Sequence, residues 1–287
     1  MNREARPDGR SELDRTANSI RKMVLKMVYK AQSGHLGGSF SVAEILTALY
    51  FREMRIDPEN PAWPDRDRLV PSKGHCAPAI YAALVLRGVI SPETLDDLRQ
   101  TGCILQGHPC MKTVPGIDIS TGSLGHGMSL GLGMALGARL KKKDFHVYVL
   151  LGDGELNEGQ NWEAAMAASK YRLSNLTAIV DRNRVQLDGP TEDIMPLEPL
   201  AEKWQAFNWS VLRVDGHDVE AVVKALRRAR ADAQGPAIII ADTIKGKGVS
   251  FMENSHLWHG RPPTREEFER ALSELGGEDE LGENDHA

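Results

Sequence analysis

The chain has 287 residues, 41% of them hydrophobic, which is enough for one large α/β domain with a sizeable core. Its 35 basic and 40 acidic residues give a formal charge of −5, which argues against the basic stripe of a general nucleic-acid binder. No apolar run approaches the ~18 residues that cross a bilayer, and the N-terminus is too polar for a secretory signal. Three cysteines, Cys76, Cys103 and Cys110, lack CxxC spacing and read as reduced thiols of a cytoplasmic protein, each a small core residue.

Residues 1–12 are polar and expected to be loose. Ile20, Val24, Met27 and Val28 recur at helical spacing and predict a helix over 14–30, which stops at the permissive loop 33–38. A second helix is expected over 41–51, with Ser41 as N-cap and Glu44 completing a capping box. After the loop 57–67 comes a short strand, 68–70, then helices over 77–86 and 91–98. Loops around Gly107, His108, Pro109 and around 121–125 precede a helix over 126–142. That helix carries glycines at 127, 131, 133 and 137. Each glycine costs about 1 kcal/mol against alanine inside a helix, so the two i, i+4 pairs imply close packing against another element. Strands are expected over 147–151, 176–180, 210–214 and 237–242, with helices over 158–171 and 219–231 between them. Thr264 and Glu267 form a second capping box, opening a helix to about residue 275. The acidic tail 276–287 reads as disordered, leaving a single domain over 13–275. The alternation of strands and helices predicts a parallel sheet covered on both faces.

The stretch from 147 to 189 carries the chemistry. A strand, a helix and a second strand make a parallel crossover, and such sheets bind ligands outside the carboxyl ends of their strands. Asp153 and Asn183 both fall there. Two oxygen-bearing side chains at one point suit a hard cation such as Mg²⁺, with phosphate completing its shell. Gly152 and Gly154 carry no Cβ, which lets phosphate oxygens approach the main chain.

The GDG at 152–154, followed by the 28 residues 155–182 and then Asn183, resembles the thiamine diphosphate motif. That resemblance implies Asp153, Asn183 and the backbone carbonyl of Val185 as ligands to Mg²⁺, or to Ca²⁺ or Mn²⁺ in its place. The ordered series SGHLG, SKGH, GHP, TGSLGHG, the thiamine motif, KGKG and WHG resembles transketolase across about residues 20–262. The resemblance implies a thiamine diphosphate-binding fold in which His75 and His259 contact the diphosphate. It also places His35, His108 and His259 around the reacting carbons of the sugar. Gly122 matches a backbone contact to the aminopyrimidine, and Leu124 and Leu187 match residues packed on the cofactor rings. For both leucines a plain core role stays open, as does ordinary solvation for Lys245 and Lys247 on the phosphate side. His126 stands where many relatives have glutamine. Glu158 matches a glutamate of a carboxylate network across the subunit interface, while acids at a helix start are the alternative for Glu155 and Glu158.

Transketolases also carry a pyrimidine-binding domain, which supplies a catalytic glutamate, and a C-terminal domain. No second sheet pattern follows Asp242. The expectation is therefore the N-terminal subunit of a split transketolase, working in an α2β2 heterotetramer with a partner that brings the missing domains. With sugar phosphates it would move a two-carbon ketol group from xylulose 5-phosphate to ribose 5-phosphate or erythrose 4-phosphate. Another ketose phosphate, a fragment of a deoxyxylulose-phosphate synthase, and the alpha subunit of a 2-oxo acid dehydrogenase stay open as alternatives.

Overall fold

A computed structural model describes residues 11–277. Five strands make one fully parallel sheet: β1 (Arg68–Pro71), β2 (Val147–Gly152), β3 (Leu176–Arg182), β4 (Ser210–Asp215) and β5 (Ala237–Asp242). Their spatial order is β1-β2-β3-β5-β4. Every residue of β2 and β3 is buried, as parallel strands covered on both faces require. The pleat divides the core in two. Tyr148, Leu150 and Ile179 face one layer, while Val147, Val149, Leu151, Ala178 and Val180 face the other.

The first layer is built from α1 (Glu12–Ala31), α3 (Ala43–Ala48), α4 (Ala77–Leu86) and α9 (Val219–Ala231), with α2 (Gly37–Phe40) packed among them. The second is built from α5 (His126–Leu140), α6 (Gly159–Lys170) and α8 (Leu200–Ala206). The short α7 (Thr191–Ile194) lies between β3 and α8, and α10 (Arg265–Glu274) closes the described chain on α1. Ser11 and Asp14 form a capping box that starts α1 inside the stretch expected to be loose; residues 1–10 and 278–287 of the expected flexible ends lie outside the described residues. The Thr264–Glu267 capping box is present.

The helix expected over 41–51 is broken into α2, α3 and a π-helical turn, Leu49–Glu53, and its capping box does not form. Ser41 is helical rather than extended, and its hydroxyl donates to Asp181 Oδ2 at 2.7 Å. Glu44 turns instead to Arg21 and His217. Tertiary partners thus displace the local cap. The helix expected over 91–98 is a 3₁₀ segment, Pro92–Asp97. Of the cysteines only Cys76 is a buried core residue; Cys103 and Cys110 are partly exposed.

The α5 glycines split by face. A Cβ on Gly127 would lie 2.3 Å from Ser72, and one on Gly131 would lie 2.3 Å from Val149, so these two let the helix sit directly on the sheet. Gly133 and Gly137 meet nothing within 4 Å, so close packing explains one of each spaced pair. Among the described residues no helix is long and apolar enough to cross a membrane.

Candidate active site

The carboxyl ends of β1, β2, β3 and β5 border one cleft of about 720 Å³, counting its solvent-open part. Asp153 follows β2 and Asn183 follows β3, and both line it. The adjoining register, Gly152 opposite Asp181, brings them together.

Asp153 is buried, and its carboxylate is already oriented. Oδ1 accepts the Gly154 N–H at 2.8 Å, and Oδ2 accepts the Arg184 N–H at 2.5 Å. Burial and the nearby Asp181 charge push its pKa up, so a cation in the cleft would relieve it. The Asn183 amide is fixed by its neighbours: Nδ2 donates to Asp181 at 2.9 Å, and Oδ1 accepts the Val185 N–H at 3.1 Å. An ionised carboxylate can only accept, which settles which way the amide points.

Two buried lysines flank these oxygens. Lys73, after β1, ion-pairs with Asp181; burial opposes its charge, yet Asp181 outweighs this and its pKa rises. Lys245, after β5, donates to the carbonyl of Val185 at 3.1 Å and meets His259 Nδ1 at 3.0 Å. Burial and the Lys73 charge lower it to about 8. It is only 2% exposed, so solvation does not describe it. Lys247, by contrast, is half-exposed beside Glu253 and away from the cleft.

Four histidines meet at the cleft's edge. His35 lies 5.6 Å from His75, 6.2 Å from His108 and 5.4 Å from His259, and His75 lies 5.0 Å from His259, measured between ring centres. Burial together with Arg99 holds His35 down to about 4. Burial and Lys245 hold His259 to about 3, and burial with Lys73 keeps His75 well below the usual range. These rings are neutral at pH 7 and able to donate or accept to sugar hydroxyls. Gly122 borders this cluster: a Cβ there would press on the His108 ring at 3.0 Å, and its φ of +143° favours glycine. His126 is exposed and apart from it.

Leu124 and Leu187 are 38% and 59% exposed and line the cleft, so neither is a core residue. Glu155 is not a simple helix-start acid. Its buried carboxylate takes the Ser72 hydroxyl and the N–H groups of Gly125 at 2.8 Å and Gly152 at 2.9 Å, tying three loops together. Glu158 is exposed and does not line the cleft.

The residues fit a diphosphate-bound dication. Among the described residues no group of three His, Cys, Asp or Glu side chains is arranged to hold a metal alone. The cleft offers one carboxylate, one amide oxygen and the Val185 carbonyl, whose second lone pair stays open beside Lys245. A six-coordinate ion would draw its other ligands from phosphate and water. The lysines supply positive charge for the anion.

Residues 13–281 match the family described as transketolase, thiamine diphosphate binding domain. The chain belongs to the transketolase family. One of the two subunits of an apulose-4-phosphate transketolase, from Phocaeicola vulgatus, is 47% identical over 263 residues, covering 92% of this chain and 93% of its own. A 6-deoxy-6-sulfo-D-fructose transketolase subunit of a Clostridium species is 48% identical over 264 residues, covering 92% of this chain and 96% of its own. The crystal structure of transketolase from Campylobacter jejuni superposes with a TM-score of 0.88 at 35% identity, covering 92% of this chain. The chain spans 43% of that transketolase.

Several functional candidates escape sequence reading. Lys73 is visible only as part of the SKGH motif, and Asp181, Gln186 and Asp188 carry no motif signal. The first anchors through a contact 108 residues distant, and Gln186 and Asp188 reach the cleft only through the path of the loop after β3.

Proposed function

We propose that this chain is the cofactor-binding subunit of a two-chain transketolase that transfers a two-carbon ketol group between sugar phosphates. The single observation that carries this reading is the convergence of Asp153, Asn183 and Lys245 with the His35, His75 and His259 rings on one cleft. Thiamine diphosphate, when bound, supplies a nucleophilic carbon and an electron sink. Asp153, Asn183 and the Val185 carbonyl hold its Mg²⁺. Gly152, Gly154, His75, Lys245 and His259 receive the diphosphate, while Gly122, Leu124 and Leu187 hold the rings. His35, His108 and His259, kept neutral, bind sugar hydroxyls and hand protons on at the reacting carbons.

The catalytic glutamate then comes from a partner chain bearing a pyrimidine domain, in an α2β2 assembly in the cytoplasm. Glu158, exposed beside Gly125, is available to that interface. The relatives of similar length named as transketolase subunits support the two-chain organisation. Xylulose 5-phosphate with ribose 5-phosphate or erythrose 4-phosphate, the pentose phosphate reaction, is the first substrate pair to try. The names of the two relatives favour another anionic ketose as the second. The test is a ketol-transfer assay of the chain alone, its candidate partner alone and the mixture, on a panel of ketose phosphates. Activity only in the mixture is expected. Full activity in the lone chain would refute the two-chain reading, and none on any ketose would refute the transfer itself.

A further inference from the structure

Arg182 ends β3 immediately before Asn183, yet its side chain turns away from the sheet. It is 1% exposed and meets three carboxylates. Nη1 donates to Asp153 Oδ2 at 3.2 Å, and Nη2 donates to Glu192 Oε1 at 2.7 Å and Glu198 Oε1 at 3.0 Å. Its Nε is buried with no described partner. One guanidinium among three carboxylates leaves a local charge of about −2, the charge that a dication cancels.

The donors on Asp153 are unequal between its oxygens. Oδ2 takes two, the Arg184 N–H and Arg182 Nη1, which use both its lone pairs; Oδ1 takes only the Gly154 N–H. One lone pair, on Oδ1, faces a ligand. Asp153 is thereby limited to binding a cation through a single oxygen. Ca²⁺ takes six to eight oxygens and often both of a carboxylate, whereas Mg²⁺ takes six and needs only one from each.

We propose that Arg182 is a positioning residue that restricts Asp153 to one open oxygen and so biases the site toward a six-coordinate dication of the Mg²⁺ class. This rests on the reading of the cleft as a thiamine diphosphate site. Glu192 and Glu198 share the guanidinium charge, which keeps Arg182 from competing fully with the cation. Both sit on the segment that follows Val185, Gln186, Leu187 and Asp188 along the cleft, so the same contact also ties that segment to the sheet end.

The test titrates thiamine diphosphate calorimetrically into the full chain, alone or in the complex in which it purifies, with either Mg²⁺ or Ca²⁺. In Arg182→Met the ratio of Ca²⁺-supported to Mg²⁺-supported affinity should rise about tenfold, the low end for loss of a group that orients a metal ligand. Glu192→Gln/Glu198→Gln retains the Asp153 contact and neutralises only half-exposed side chains, so it keeps the question answerable if Arg182→Met does not fold. There the guanidinium charge falls on Asp153 alone, and affinity should drop about tenfold with both metals while the ratio stays put. An unchanged ratio in Arg182→Met, or unchanged affinity in the double variant, overturns the proposal. Wild-type chain that binds no cofactor with either metal instead defeats the underlying reading of the cleft.

Discussion

The Lys245 ammonium donates to the Val185 carbonyl at 3.1 Å, beside the position where a metal-bound diphosphate would lie. Its other described partners are the Gln186 carbonyl at 3.4 Å and the His259 ring, neither of them anionic. A buried cation so arranged is costly in the empty cleft and favourable once an anion arrives.

Lys245→Met should therefore weaken thiamine diphosphate binding while leaving the melting temperature unchanged or raised. A charge-assisted hydrogen bond contributes about 1.5–3 kcal/mol, or roughly tenfold to a hundredfold in affinity. Calorimetry and thermal melts on one preparation read both. A variant that loses stability in proportion to affinity contradicts the assignment.

The same residue sets a pH dependence. Its folded pKa, about 8, lies below the ordinary lysine value of 10.5, so between these two the unfolded chain holds the extra proton. Stability of the cofactor-free chain should rise across that window from this group. Cofactor affinity should fall above about pH 8, as the ammonium is lost. Lys245→Met should flatten both trends, which urea melts and titrations at several pH values can follow.

Asp181 is a structural counterpart. It accepts Lys73, the Ser41 hydroxyl, the Thr243 hydroxyl and the Asn183 amide. Asp181→Asn strands the buried Lys73 ammonium and should cost about 3–5 kcal/mol in denaturant unfolding. An apolar replacement of both partners should recover much of that loss.

The histidine cluster should resist protonation. His35 and His259 have folded values near 4 and 3, below the ordinary 6.5, so the unfolded chain binds the extra protons as pH falls. The stability these rings contribute is whole above about 6.5 and is lost toward pH 4 and 3. Proton-detected imidazole titrations should show no midpoint between pH 5 and 8 for either ring. A midpoint near 6.5 would mean that the cluster is hydrated and open.

Gly131→Ala places a methyl group 2.3 Å from Val149 in the sheet, and overpacking of this kind costs about 1–3 kcal/mol. Gly133→Ala and Gly137→Ala meet nothing within 4 Å, and in a helix should stabilise the isolated chain by about 0.4–1 kcal/mol each. Thermal unfolding of the three variants separates the two faces of α5.

How far the sequence reveals this architecture follows from the range of each interaction. Strand β5 and helix α9 appear at their expected limits because periodicity is local. Asp153 and Asn183 converge as their spacing implied, since one crossover fixes both strand ends. The Ser41 cap failed because its hydroxyl prefers Asp181, 140 residues away. Glu155 reads as a helix-start acid until the fold brings Ser72 and Gly125 to it. The histidines were legible singly; their meeting required four loops to be placed at once. His217 follows a glycine like the others, but its Nε2 accepts the Ile244 N–H at 2.8 Å and its Nδ1 meets Glu44, so it holds a loop rather than facing the cleft.

The most direct test of the whole account is calorimetric titration of thiamine diphosphate into wild type, Asp153→Ala and Asn183→Ala, each with Mg²⁺ and with chelator. Wild type should bind only with the metal, and both variants should lose that metal-dependent binding while keeping the fold by circular dichroism. Equal binding in chelator, or undiminished Mg²⁺-dependent binding in Asp153→Ala, would contradict it.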